Sequence, residues 1–243
     1  MDTPIKYPRR QFIRGVLRGA IAASLGVLGD FAIEGKEYLK EGGPLLVVAN
    51  HFHFLDPVAL IRGTHWPLEF VGGAQTPNAP LGVRWFASLY GVIPTYRGTG
   101  SRMTLKASQA ILAQKGVLAI FPEGGSWAHV LRPARPGTAF LATQMNARIL
   151  PIGIDGAVDF FSKLKSGKRP TIHLRVGKPF GPFVNADPAR PSREELDNIG
   201  ETIMRNIAEL IPPERRGYFS NDPQIRDAAK GTEIYPWQDH PEI

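Results

Sequence analysis

The chain has 243 residues, which is enough for one sizeable α/β domain or two small ones. It contains no cysteine, so disulfides, thiolate nucleophiles and cysteine-based zinc sites are excluded. A net charge of +7 and a pI of about 9.8 favour an anionic partner, such as a membrane, a nucleic acid or a phosphorylated substrate.

Residues 1–30 carry a concentration of positive charge. Arg10, Arg14 and Arg18 are spaced four apart and therefore share one helical face. Apolar residues fill much of the remaining surface: Phe12, Ile13, Val16, Leu17, Ala20 and Ile21. The uncharged run that follows is shorter than the roughly 20 residues of a membrane span. We predict a retained amphipathic helix whose basic stripe lies on an anionic membrane; a signal peptide and a helix packed on its own domain are the alternatives.

Strands and helices alternate along the next part of the chain. Apolar runs and Gly or Pro boundaries predict strands at residues 31–35, 45–49, 68–71, 91–94, 117–121, 149–154 and 171–176. Helical periodicity predicts helices at residues 57–62, 80–90, 101–114, 137–146 and 192–210. This order indicates a single α/β domain over residues 31–211, with a mostly parallel, mixed sheet flanked by helices. Residues 212–243 are polar and rich in Pro, which predicts a loosely held tail.

The most informative stretch is residues 45–57, in which an apolar strand runs directly into Asn50 and His51. Asp56-Pro57 has the form of an N-cap followed by Pro at the first helical position. A short loop can then fold the carboxylate of Asp56 back onto the imidazole of His51. Such a carboxylate fixes the tautomer and makes the other ring nitrogen a better base. The serine of a catalytic triad is missing, and a substrate hydroxyl would take its place.

Two further loops follow predicted strands, at Arg97-Gly98 and at residues 123–127. In open α/β sheets the site lies beyond the carboxyl ends of the strands. We therefore expect these two loops and the loop of His51 to converge on one cleft.

With the three loops in place, four segments in order resemble the motifs of the glycerolipid acyltransferases of the lysophosphatidic-acid acyltransferase type. They are Asn50-His51-x4-Asp56, the Gly-hydrophobic stretch at residues 91–97 that ends in Arg97, Phe121-Pro122-Glu123-Gly124, and the apolar, Pro-containing strand at residues 149–154. The resemblance covers about residues 31–177.

The resemblance implies an O-acyltransferase that uses acyl-CoA or acyl carrier protein as co-substrate, with no metal and no other cofactor. His51 would take the proton of an acceptor hydroxyl, Asp56 would orient His51, and the hydroxyl oxygen would attack the thioester without an acyl-enzyme. The acceptor would be a lysophospholipid or a related glycerolipid. We expect a peripheral enzyme at the cytoplasmic face of an anionic membrane, with no nucleic-acid partner.

The resemblance also assigns the acceptor head group to Arg97 and to the turn of Glu123, Gly124 and Gly125. A guanidinium suits a phosphate because it can make two charge-assisted hydrogen bonds at once. For Glu123 the alternative is an ion pair that braces the loop, and the two glycines are expected chiefly to allow a tight turn. Many phosphate-acceptor members carry Thr-Arg where this chain has Gly125-Ser126. Either Arg132 or Arg135 replaces that cation, or the acceptor is not a simple glycerol phosphate.

Three other interpretations are open on the sequence. His51, His53 and Asp56 are ligand types that suit zinc, which would make the protein a metal-dependent hydrolase. Ser126 follows two glycines, as in a serine esterase, although the second Gly of the nucleophile elbow is missing. A non-enzymatic binder would use the basic N-terminal arm, yet the aromatic residues do not alternate with cations as they do in nucleic-acid modules.

Overall fold

The computed structural model describes residues 5–73, 81–95, 102–183, 191–234 and 236. The helices are α1 (Gln11–Leu28), α2 (Asp56–Gly63), α3 (Leu81–Tyr90), α4 (Arg102–Ala113), α5 (Pro136–Met145), α6 (Phe160–Lys165), α7 (Arg193–Ala208) and α8 (Pro223–Ala229). The strands are β1 (Asp30–Glu34), β2 (Leu45–Ala49), β3 (Glu69–Gly73), β4 (Ile93–Thr95), β5 (Val117–Ile120), β6 (Arg148–Asp155) and β7 (Thr171–Val176). Three short 3₁₀ helices lie at Lys36–Lys40, Pro213–Arg215 and Gly217–Phe219.

The seven strands form one sheet in the order β1-β7-β6-β2-β5-β3-β4. Parallel pairs join β6, β2, β5, β3 and β4, and β1 also pairs in parallel with β7. Only the β6–β7 pair is antiparallel. The predicted class, a single α/β domain with a mostly parallel mixed sheet, is therefore confirmed.

Strand β2 lies at the centre of this sheet and is buried on both faces. Because side chains alternate along a strand, Leu45, Val47 and Ala49 face one layer while Leu46 and Val48 face the other. The first layer contains core residues of α1, α2 and α6, and the second contains those of α4, α5 and α7. A continuous apolar run without alternation is the pattern of such doubly covered strands.

The antiparallel strand β7 returns beside β6. The two strands are joined by residues 156–170, which contain α6, a helix of six residues. Antiparallel neighbours do not need the crossover over a sheet face that parallel strands require. The strand pattern predicted β7 itself but not α6, which is too short to show a helical period.

Helix α1 is oriented differently from the prediction, because its arginine face points into the protein. Arg14 is buried and donates two hydrogen bonds to Glu69, of 2.7 and 2.8 Å. Arg10 donates to the backbone carbonyls of Ser88 and Leu89, and Arg18 donates to those of Thr64 and Trp66. Arg14 and Arg18 are thus turned toward the domain, whereas Arg10 stays exposed while it donates to its two carbonyls. All three arginines fasten the helix to its own domain.

The opposite face of α1 is apolar and exposed. Phe12 is 83% exposed and Val27 is 75% exposed, with Val16 between them on the same side. By length and composition α1 is the one described helix that is apolar enough to cross a membrane. Next to it, α3 presents Trp85, which is 65% exposed. The molecule therefore carries an apolar outer surface on these two helices.

The segment after residue 211 is better held than predicted, as far as residue 234. Phe219 and Ala229 are buried, and the carbonyl of Thr232 accepts a 2.8 Å hydrogen bond from Nε1 of Trp127. The composition of this segment is polar, but its attachment uses backbone atoms, which leave no mark in the composition. The 212–243 tail is therefore a packed element in its described part.

Candidate active site

The carboxyl ends of the five parallel strands lie side by side, and we call this border of the sheet its carboxyl edge. The residues that follow β2 lie near the middle of this edge. Asn50, directly after β2, is fully buried. Its Nδ2 donates to the carbonyl of Ile154 at 2.9 Å, and its Oδ1 accepts from the N–H of Ile154 at 2.7 Å. The side chain thus continues the pairing of β2 with β6 at the point where His51 leaves the strand.

The loop after Asn50 brings His51 and Asp56 together as predicted. Nδ1 of His51 lies 3.0 Å from Oδ2 of Asp56. The same oxygen accepts 2.7 Å hydrogen bonds from the N–H groups of Phe52 and His53. Asp56 is buried, whereas the imidazole of His51 remains partly exposed. A neutral imidazole that donates Nδ1–H to this carboxylate leaves Nε2 as the basic nitrogen.

Asp56 is not the N-cap of α2, which corrects that detail of the prediction. Helix α2 begins at Asp56, its N-cap position is Leu55, and no side chain caps it. The carboxylate turns back to the loop because three donors converge on it there. The residue that positions His51 therefore also holds the loop's backbone.

The ring of His51 is also fixed by stacking. It lies on the ring of Phe121 with centroids 4.2 Å apart and an interplanar angle of 21°. Phe121 directly follows β5, the neighbour of β2 in the sheet. The first and third predicted motifs therefore meet at the imidazole.

Glu123 makes the second contact between these motifs. Its Oε1 accepts a 2.7 Å hydrogen bond from the N–H of His51, and its Oε2 accepts one of 3.0 Å from Nε of Arg132. The Glu123 side chain is 0% exposed. Burial raises the pKa of Glu123 to about 7, against the opposing effects of Arg132 and of the His51 hydrogen bond. Glu123 therefore makes the bracing ion pair that the sequence left open as an alternative, and its predicted contact with the acceptor head group stays a prediction.

Arg132 completes this brace and was overlooked as a structural residue. It is 1% exposed, lies over the ring of Trp127 at 3.9 Å, and donates to the carbonyl of Gly125. Because it is enclosed in this way, Arg132 is not the replacement phosphate-binding cation. Arg135 is exposed and donates at 2.9 Å to the carbonyl of Glu233, so it remains a candidate at the rim.

Of the two glycines after Glu123, Gly124 needs to be glycine. Its φ of 78° lies in the left-handed region, and a Cβ there would stand 3.2 Å from Cγ of Arg135. Gly125 contributes its carbonyl to Arg132. Both glycines thus shape the turn, and their predicted contact with substrate stays a prediction.

Arg97 lies outside the described residues, and so does Gly98. The last residue of β4 is Thr95, and β4 is parallel to β3. The chain that leads to Arg97 therefore leaves the sheet at the same edge as His51. The role of Arg97 stays a prediction.

An apolar groove adjoins the loop that carries His51 and Asp56. It has a volume of about 330 Å³. Its lining comes from the loop and α2 on one side and from α3 on the other: Phe54, Leu55, Val58, Gly82, Val83 and Phe86. Such a lining suits a hydrocarbon chain.

His53 lies beside the pair of His51 and Asp56. The centroid of its ring is 4.1 Å from that of Phe54 and 6.0 Å from that of Phe161, and both ring pairs are tilted. Burial is the main cause that lowers the pKa of His53, opposed by the charge of Asp56. The described residues contain no group of three His, Asp or Glu side chains suited to a metal, and His51 is bonded to no serine among them. The geometry gives the hydrolase and esterase alternatives no support.

Comparison with known proteins bears on this arrangement. A family model described as Acyltransferase matches residues 30–155, just over half of the chain. Among solved structures, the chain is similar to the 1-acyl-sn-glycerophosphate (LPA) acyltransferase, PlsC, from Thermotoga maritima. The two share 20% sequence identity and a TM-score of 0.58, with 83% of this chain and 80% of that chain covered. The structural likeness shows a common fold, and the match of the family model confirms the enzyme class predicted from the motifs. The chain belongs to the acyltransferase family.

Proposed function

We propose that this acyltransferase moves a fatty acyl group from a thioester donor, acyl-CoA or acyl carrier protein, to a hydroxyl of a lysophospholipid or a related glycerolipid. The observation that carries the proposal is the 3.0 Å contact between Nδ1 of His51 and Oδ2 of Asp56, in a loop whose Phe54 and Leu55 also line an apolar groove. The similar solved structure is titled a 1-acyl-sn-glycerophosphate acyltransferase, which supports this acceptor class.

His51 acts as the general base. Its Nε2 takes the proton from the acceptor hydroxyl while the oxygen attacks the thioester carbon. The new C–O ester bond forms and the C–S bond breaks, and the proton on His51 passes to the departing thiolate. Asp56 stabilises the imidazolium that exists between these steps. No nucleophilic side chain is required, which agrees with the lack of cysteine.

The groove on α2 and α3 takes the fatty chain. Its lining residues are apolar, and two of them, Phe54 and Leu55, belong to the same loop as His51. A chain held there lies against the loop that carries His51. Arg97, which follows β4 in sequence, binds an anionic head group of the acceptor.

The enzyme works at a membrane surface through the apolar outer face of α1 and α3. Phe12, Val16 and Val27 lie on that face, and Trp85 stands beside it as an aromatic of the type enriched at membrane interfaces. The arginines of α1 dock the helix and leave this face outward. The acceptor lipid then reaches the groove without leaving the bilayer.

The test is acyl transfer from labelled long-chain acyl-CoA to a panel of lysolipids and polyols. His51→Ala is compared with the wild type and with His65→Ala, which removes an exposed imidazole that no proposed step uses. We expect transfer to a lysophospholipid that is lost in His51→Ala and kept in His65→Ala. The assay is repeated with acyl carrier protein as the acyl donor, and activity with that donor but not with acyl-CoA would identify the donor. Activity that survives His51→Ala would overturn the mechanism.

A further inference from the structure

Three lysines stand at the same edge of the sheet as His51. Lys163 and Lys165 belong to α6, and Lys168 lies in the turn that follows. Because β6 is parallel to β2, α6 leaves the sheet at the same edge as His51. All three side chains are exposed, and none forms an ion pair with a described residue. We refer to these residues as the lysine segment.

The lysine segment is fastened to the end of α1. Arg169, the next residue, donates to the carbonyls of Val27 at 3.0 Å, Gly26 at 2.8 Å and Gly29 at 2.9 Å. Cations are favoured at a helix C-terminus, where carbonyl groups lack helical partners. The lysine segment therefore stands beside the exposed apolar residues Val27 and Leu28.

The acidic groups in this neighbourhood do not neutralise the lysines. Asp30 is paired with Arg169 at 2.9 Å, and Asp159, at the start of α6, lies 3.6 Å from Arg215. The positive charge of the lysine segment is thus directed to solvent. It adjoins Phe161, an exposed aromatic on α6 whose ring centroid is 5.8 Å from that of Phe54 in the catalytic loop.

We propose that the lysine segment binds the anionic lipid head groups of the bilayer on which α1 lies. This inference rests on the membrane location in the proposed function and adds the source of its charge selectivity. Exposed lysines directly beside exposed apolar residues match the two zones of a bilayer surface, in which head groups adjoin the acyl region. An acidic protein partner would use the cations but would leave Val27 and Leu28 uncovered.

The residues that contact anionic lipid are then different from those predicted from the sequence. The sequence favoured the arginines of α1, but Arg14 is paired with Glu69 and Arg18 donates its hydrogen bonds to backbone carbonyls. The lysine segment supplies three cations at the other end of the same helix. Each lysine near an anionic surface contributes a factor of about five to binding.

The test is binding of the full chain to two kinds of vesicle by co-sedimentation. One contains phosphatidylcholine alone, and in the other part of it is replaced by phosphatidylglycerol. The variant Lys163→Gln/Lys165→Gln/Lys168→Gln removes the lysine segment. The matched control, Lys36→Gln/Lys40→Gln/Lys115→Gln, removes three exposed lysines from the opposite edge of the sheet.

We expect the first variant to bind the anionic vesicles on the order of 100-fold more weakly than the wild type. Its binding to phosphatidylcholine and its thermal unfolding should match those of the wild type, and the control variant should behave as the wild type throughout. The difference should shrink as salt is added.

Equal binding of the first variant and the wild type to anionic vesicles would overturn the proposal. It would also be overturned if that variant kept its vesicle binding and lost affinity for an acidic acyl carrier protein. If the wild type showed no acyl transfer but kept a lysine-dependent preference for anionic vesicles, the proposed reaction would fail and this inference would stand.

Discussion

The backbone N–H of His51 donates a 2.7 Å hydrogen bond to Oε1 of Glu123, so the motif after β5 holds the residue that follows β2. The other oxygen of Glu123 is held by Arg132. The position of the His51 imidazole thus depends on a buried ion pair between residues that are nine apart in sequence.

Asp56→Asn separates orientation of His51 from folding of its loop. The amide oxygen can still accept from the N–H groups of Phe52 and His53, but the carboxylate that fixes the imidazole and stabilises its charge is lost. We expect kcat to fall by about 10³- to 10⁴-fold with little change in KM. Steady-state kinetics together with thermal unfolding check this result. A loss of less than tenfold would contradict the role of Asp56.

The Glu123–Arg132 pair should behave as one unit in stability. At pH 8, where Glu123 is mostly ionised, either Glu123→Gln or Arg132→Met leaves the partner buried without its counter-charge, and we expect each to lower the free energy of unfolding by about 3–5 kcal/mol. The double variant should lose less than the sum of the two single variants. Denaturant unfolding measures all three.

The exposed pair Arg205–Glu201 provides the control for that cycle, since its side chains are 62% and 48% exposed. Arg205→Met should change the free energy of unfolding by no more than about 0.5 kcal/mol. Additive losses at Glu123 and Arg132 would show that the two residues act independently.

The pKa of Glu123 predicts a pH dependence of stability with a definite sign. Burial raises this pKa to about 7 from 4.5, so between these two values the folded protein binds more protons than the unfolded chain. The free energy of unfolding contributed by Glu123 should therefore decrease as pH rises from about 4.5 to about 7. Thermal unfolding across this range, wild type against Glu123→Gln, isolates the contribution. Parallel curves for the two proteins would contradict it.

Gly82→Leu should shorten the acyl chains that the enzyme accepts. A side chain at Gly82 enters open space in the groove, with no atom within 4 Å of its Cβ, and Leu is a better helix former than Gly. We expect kcat/KM for a long-chain relative to a short-chain donor to drop by roughly tenfold or more. Gly42→Leu, which also meets no atom within 4 Å but lies outside the groove, should leave that ratio unchanged.

Phe12→Ser/Val16→Ser should weaken membrane binding without unfolding the protein. Both side chains are exposed, so their removal costs the isolated fold little, but each would lose about 1.5–3 kcal/mol of apolar transfer into a bilayer. Flotation with phosphatidylcholine vesicles measures the effect. Met103→Ser, an exposed apolar position on α4 in the other layer, is the control. Unchanged flotation of the double variant would argue against the outer face of α1 as the membrane contact.

The sheet and the contact between His51 and Asp56 were predictable because the sequence patterns that indicate them are local. An apolar run marks each buried strand, and the five-residue spacing of His51 and Asp56 allows one loop to join them. The orientation of α1 was not predictable in the same way. A helix with arginines on one side and apolar residues on the other has the same pattern whichever face turns inward, and the deciding partner, Glu69, is 55 residues away.

Arg132 and the C-terminal segment were missed for a related reason. Arg132 lies in irregular chain, where no periodicity points to a partner. The C-terminal segment is held in part through the carbonyls of Thr232 and Glu233, which every residue type possesses, and in part by the few buried side chains such as Phe219. Hydrogen bonds to backbone atoms leave no trace in the sequence, and single buried residues in a polar segment form no periodic pattern.

The pairing of Arg14 with Glu69 also orders events during synthesis of the chain. At typical translation rates of about 5–20 residues per second, Glu69 emerges roughly 3–10 s after Arg14. Throughout that interval the helix has no counter-charge on which to dock, while its apolar face is already complete. In the proposed arrangement lipid and domain contact opposite faces of α1, so early adsorption of the nascent helix to a bilayer would leave its arginines free to receive β3.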